Sequence, residues 1–247
     1  MLTRHTSALD PLPPDMLTPR QGIYIWLAAI FVTCLVLANI IGVKVFRFEF
    51  LGRDWTHTMG MLPFPITFLL TDLINEYYGK RGARRVVYIA FAMAALAFIL
   101  IAISRAVPIR EDLPGTATRE AFENIFGAAA LMYVASLVAF LCGSLLDIVL
   151  FGFFKRLTKG KMVWLRATGS TVISQFFDSL VVSFVFFVFI PLILGNPATS
   201  PAGAFEIAAG GYELKLYLAI LVTPFIYLGR WIIREWFGLR PLPADGI

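Results

Sequence analysis

Asp72, Asn75 and Glu76 stand at i, i+3 and i+4 in the run PITFLLTDLINEYYG, so two carboxylates and an amide share one helical face. The run is apolar enough for a bilayer, where each buried charge costs roughly 2.5–3.5 kcal/mol on insertion scales. Such a face must look at protein, water or a ligand, never at lipid. Carboxylates there can accept paired N–H donors or hold a cation. A second set lies in GSTVISQFFDSLVV, where Ser174 and Gln175 precede Asp178 by one turn and Thr168 opens the segment. At 1.5 Å per residue Asp178 lies about fifteen ångströms along the helix, close to mid-membrane. Asp72 and Asp178 are deep enough to need a partner or a ligand. Asp147 lies nearer the cytoplasm, above Lys155 and Arg156, and reads as a structural link between helices. Glu76 is within reach of Arg81 or Arg84. Asn39 and Lys44 could line a mouth together, although Lys44 can also snorkel to the outer headgroups.

Enzyme chemistry finds no support in these residues. An intramembrane aspartyl protease needs paired aspartates, one in a Gly-x-Gly-Asp setting, whereas Asp147 follows SLL and Asp178 follows QFF. HExxH, GxSxG and P-loop patterns are absent from the sequence. Cys34 and Cys142 both lie in apolar runs and suggest neither a disulfide framework nor a metal site, so no cofactor is expected.

The elements that must hold these residues follow from composition. The 247 residues are 59% hydrophobic and 15% charged, with mean hydropathy +0.79. A soluble domain carries about 25% charged residues, so this is an all-α polytopic membrane protein. The formal charge of +5 sits in short clusters between apolar runs, which marks topology and excludes a nucleic-acid face. Six segments are long enough to span: about Ile23–Val43, Met59–Tyr78, Val86–Ile103, Gly127–Phe154, Thr168–Leu194 and Leu214–Ile233. With six spans, fourteen of the 21 Lys and Arg fall on the side of the termini and seven on the other, which puts both termini in the cytoplasm. Residues 1–20 read as a disordered tail, 21–236 as the transmembrane domain and 237–247 as a second tail. Outside, Thr118 caps a short helix in TREAFEN, His57 is solvated, and Gly195–Gly211 is loop or re-entrant by composition. Asn39 and Asp147 are 108 residues apart and Asp72 and Asp178 are 106 apart, offsets that suit a 3+3 inverted repeat.

PITFLLTDLINEYYGKRGARR, preceded by NIIGVK and followed by STVISQFFDS, closely resembles the queuosine precursor transporter family, once catalogued as vitamin uptake transporters. The likeness runs from about Ala38 to Arg234, and its most specific part is PxTFxxTDxxxExYG, here Pro65 to Gly79. Asn75 stands where the family pattern would have a small or β-branched residue. The resemblance implies inner-membrane uptake of 7-cyano-7-deazaguanine, its aminomethyl counterpart or queuine, for salvage into tRNA modification. A carboxylate, Asp72 or Asp178, would accept the ring N–H and exocyclic amine of such a base. Asn75, Gln175, Thr71 or Ser174 would donate to O6, and Phe68, Tyr77, Phe176 or Phe177 would cover the flat face. A second carboxylate, Glu76 among the candidates, would favour a cationic aminomethyl group. The implied partners are this small molecule and the lipid bilayer, with a homodimer as a further option. The other reading is a substrate-capture subunit of an ATP-driven vitamin-type system, for which Ala29 and Thr33 are a weak docking pair on the first span. In that first reading no His–carboxylate relay appears in any span, which favours uptake without proton coupling.

Overall fold

The computed structural model describes residues 18–50, 52–127 and 130–243. Most of the expected tail 1–20 and the last residues of the 237–247 tail lie outside these. Helix α1 (Pro19–Ile41) begins in the expected tail, because Thr18 and Gln21 form a reciprocal capping box that starts the helix. A hairpin of β1 (Val45–Phe50) and β2 (Arg53–Thr58) follows, then α2 (Phe64–Ala106), α3 (Arg119–Phe126), α4 (Ala130–Leu157) and α5 (Val163–Phe184). A π-helical stretch, Val185–Phe189, carries α5 into the short α6 (Ile190–Ile193), and α7 (Pro201–Phe237) ends the fold. Among the described residues five of these elements are long and apolar enough to cross a membrane. The chain is a multi-pass membrane protein.

The second and third expected spans are one element, α2. A straight helix of its 43 residues would run about 64 Å, twice the hydrocarbon core of about 30 Å. It does not run straight. Gly79 has φ 70° and ψ 179°, a conformation open to glycine and strained for other residues. Leu70 and Ile74 before the break share one buried cluster with Ala83, Val86, Val87, Ala90 and Ala94 after it. The two limbs therefore pack as a hairpin joined at one residue. Phe31 and Leu35 of α1 and Tyr133, Leu137 and Phe140 of α4 close that cluster. Tyr24 donates to Gly82 O and Tyr78 to Arg20 O, so the start of α1 clasps the break.

One loop expectation is corrected. Residues 195–211 are not a loop throughout: Ser200 accepts from Gly203 N and Pro201 sits at the first helical position, so α7 starts thirteen residues before the expected span. The outer segment after α1 forms a hairpin in which Phe46, Phe48, Trp55 and His57 stack on one face. Trp55 is buried against Tyr217 of α7. The expected cap is present, with Thr118 Oγ1 accepting from Ala121 N at the start of α3.

Candidate functional site

A cavity of about 440 Å³ lies among α1, α2, α4, α5 and α7, a size suited to a small-molecule site. Its mouth includes Gly42, Thr58, Gly60 and Asn124, and Asn39 lies in its wall. At its floor Lys215 Nζ of α7 stands 2.5 Å from Asp178 Oδ2 of α5, both nearly buried. The Lys215 ammonium also lies 5.8 Å from the centre of the Phe64 ring, within cation–π range. Gly143 of α4 makes room for the carboxylate, since a Cβ there would meet Asp178 Cβ at 3.1 Å. Below Asp178 a crevice of about 20 Å³ continues inward between Phe68, Thr71, Ser144, Asp147 and Gln175.

The other end of the bundle, around Glu76, is built from opposite chemistry. Glu76 is buried beneath three cations from three helices: Arg166 at 2.5 Å, Lys155 at 3.0 Å and Arg230 at 3.6 Å. Its backbone carbonyl accepts from Leu242 N of the C-terminal segment. Arg166 also donates to Gly160 O, and Arg20 to Tyr77 O. The partners are not Arg81 or Arg84, as proximity in sequence suggests, but residues 79 to 154 positions away. Lone pairs taken up this way hold helices together.

The remaining expected residues divide between these two ends. Asn39, Asp178, Gln175, Thr71 and Phe68 line the cavity or the crevice below it. Ser174 donates to Asp147 Oδ1 at 3.0 Å, with Thr171 at 3.4 Å, so Asp147 is bound to α5 as a structural reading requires. Asn75 is fully buried and its Nδ2 donates to Ile148 O. Asp72 is buried and lines neither space. Lys44 is exposed beyond the mouth. Among the ring candidates, Tyr77 donates to Arg230 O, Phe176 packs on Phe205 and Tyr212, and Phe177 is exposed. Phe64 and Phe140, in both walls, supply aromatic faces instead.

Lys215 is the main residue that the sequence reading passes over. Starting the last span at Leu214 puts Lys215 at the membrane surface, whereas the earlier start of α7 places it four turns inside the helix. Ser200-Pro201 is the signal that reveals this, a cap followed by proline. His57 is half-buried on Trp55, not solvated, and burial together with the Lys215 ammonium lowers its pKa.

The arrangement is a polar pair in the lining of a cavity, with an ion cluster further along the helices. Residues 58–229 match the sequence family described as "Putative vitamin uptake transporter". The chain belongs to this family. It is 29% identical over 87% of its length, and 86% of the other chain, to a Bacillus subtilis protein named "Probable queuosine precursor transporter". It is 30% identical to the "Queuosine precursor transporter" of Escherichia coli, over 66% of this chain and 68% of that one. A Haemophilus influenzae protein, also named "Probable queuosine precursor transporter", is 26% identical over 67% of this chain and 64% of its own. No solved structure matches. This member of the queuosine precursor transporter family has a transport role.

Proposed function

We propose that this chain imports a 7-deazaguanine across the inner membrane by alternating access, and that Asp178 and Lys215 read the base. The observation that carries this reading is the Asp178–Lys215 pair at the floor of the cavity. A 7-deazaguanine presents a ring N–H and an exocyclic amine beside a carbonyl. Asp178 accepts from the two donors, Lys215 donates to O6, and Phe64 or Phe140 covers the ring. Each protein group exchanges its mutual ion pair for a ligand contact, and a ligand lacking those groups leaves them unpaired. Names of relatives support the substrate class.

The proposed topology is six crossings with both termini cytoplasmic. The Gly79 hairpin supports it, because dividing α2 there gives two limbs from one element. Setting aside Lys215 on one side and Lys155, Arg166 and Arg230 on the other, all drawn into the bundle, leaves eleven basic residues inside against six outside. Cysteines placed in 106–124 should then label from outside and a cysteine at Gly160 should not; the opposite pattern would reverse the orientation.

Competition uptake with guanine, the two precursor bases and queuine tests the substrate. Full competition by the deazaguanines is expected, and indifference to all of them would overturn the reading. Exposed Ala29 and Thr33 on one face of α1 keep the capture-subunit reading in view. Uptake by purified protein in vesicles without ATP excludes it.

A further inference from the structure

Asp72 is a buried carboxylate that neither the cavity nor an ion pair accounts for. It is 2% exposed, and among the described residues no donor reaches its Oδ1. The charged groups close to it are Asp147 of α4, Glu76 on its own helix and Arg166 of α5. Arg166 is committed to Glu76 and Gly160 O, while Lys155 of α4 and Arg230 of α7 also face Glu76. The nearest charges are thus two further carboxylates and a cation whose two Nη atoms are taken up elsewhere, its Nε alone being without an acceptor. Asn75 turns its Nδ2 to Ile148 O, and its Oδ1, one helical turn from Asp72, has no donor either. An ionised carboxylate here, its Oδ1 without a donor and no cation paired to it among the described residues, would bear much of the cost of a buried charge. A carboxylic acid removes that charge and supplies a donor beside the unpartnered Asn75 Oδ1.

We infer that Asp72 is a proton-binding site, loaded from the outer cavity past Asp147, through which import is coupled to inward proton flow. The crevice below Asp178 reaches Asp147, Thr71 and Gln175 and holds about 20 Å³, room for about one water molecule. A hydronium ion gives its proton to the Asp72 carboxylate, leaving water and a neutral carboxyl group. Inward of Asp72 the cations around Glu76 repel a free proton until the cluster opens. No histidine is needed, because carboxylates from α2 and α4 converge. Chain order alone conceals that convergence, so an uncoupled mechanism looks simpler in the sequence. The coupling half of this inference rests on the proposed transport; the proton site does not.

Infrared spectroscopy of the purified protein in lipid, titrated through neutral pH, tests the site directly. A protonated-carboxyl band should persist at neutral pH, disappear in Asp72→Asn and return at a shifted frequency in Asp72→Glu. Absence of the band, or a band unchanged in both variants, overturns the site, and the Asp72→Glu shift decides it if Asp72→Asn does not fold. In vesicles, acidifying the outside by one pH unit should raise accumulation of the aminomethyl base about tenfold for one proton per substrate, since one unit is worth 1.36 kcal/mol. The ratio of uptake with and without the gradient should fall to about one in Asp72→Asn, as expected when the driving proton is lost. A wild type that ignores the gradient overturns the coupling. A carboxyl band with no deazaguanine uptake in either condition rejects the substrate reading and the coupling with it, while the proton site stands.

Discussion

The Asp178 and Glu76 ends of the helix bundle both bury a carboxylate against basic side chains, yet in opposite proportions. Asp178 has one cation, Lys215, and an open cavity above it. Glu76 has three cations and no cavity, and the C-terminal segment lies over its backbone. A one-to-one pair beside open space can exchange its partner for a ligand that offers both a donor edge and an acceptor. A carboxylate shared by three cations cannot do so without stranding positive charge in a dry interior. Burial of an acid in a membrane helix therefore does not by itself mark a ligand site; the ratio of charges and the adjoining space separate a reader from a clamp.

The largest effect should come from the clamp. Glu76→Gln leaves Lys155, Arg166 and Arg230 facing one another and should cost about 3–5 kcal/mol of stability, the range for breaking a buried pair. Thermal unfolding in detergent and the folded yield in membranes measure it. A stable Glu76→Gln protein with altered substrate affinity would turn the comparison round.

At the reader end, Asp178→Asn removes charge but keeps volume. It should weaken apparent affinity by about tenfold to a hundredfold, the equivalent of one charged acceptor lost against a ligand donor. Uptake against concentration, normalised to folded protein, measures this. Asp147→Asn is the control between the two ends: it should lower stability through its Ser174 and Thr171 contacts and leave affinity near wild type. Wild-type affinity and rate in Asp178→Asn would make Asp178 a helix link like Asp147.

Gly143→Ala is a finer probe. Its Cβ would lie 3.1 Å from Asp178 Cβ and 3.3 Å from Oδ1, so the carboxylate must shift by a few tenths of an ångström. An affinity loss of several-fold, smaller than for Asp178→Asn, is expected with little change in unfolding temperature.

Much of this was legible in the sequence. Asp178 and Gln175 could be placed on one face because helical spacing fixes neighbours within one turn. The Glu76 cluster was not legible, since Lys155, Arg166 and Arg230 come to it from α4, α5 and α7. Lys155 and Arg166 look like members of a cytoplasmic basic loop until packing turns them inward. The hairpin in α2 left a partial trace, Gly79 before a basic run, but hydropathy reports two apolar segments equally well with or without a loop between them. Three Phe at alternate positions, 46, 48 and 50, hinted at β1, a signal that the membrane-helix pattern obscured.

The smallest effect belongs to the hairpin over the cavity. Burial and Lys215 hold the folded-state pKa of His57 below its ordinary value, so its neutral form suits the fold. The hairpin is then fully stable above the ordinary imidazole range and loses stability as pH falls towards the lowered folded value. Amide exchange in 45–58, corrected for intrinsic rates, should be faster at about pH 5 than at about pH 7, and His57→Phe should remove the difference. No such difference in the wild type would leave the cavity mouth indifferent to acid.

The one-residue joint at Gly79 also bears on how the chain enters the bilayer. The first limb of α2 is short and carries Asp72, Asn75 and Glu76, a poor candidate to remain in lipid alone. The second limb is long and apolar, and nothing but Gly79 separates them. During synthesis the polar limb cannot wait for a distant partner: the apolar limb emerges directly behind it and can fold against it as the pair leaves the translocon. In the proposed topology Lys80, Arg81, Arg84 and Arg85, at the turn of that pair, hold the turn on the cytoplasmic side.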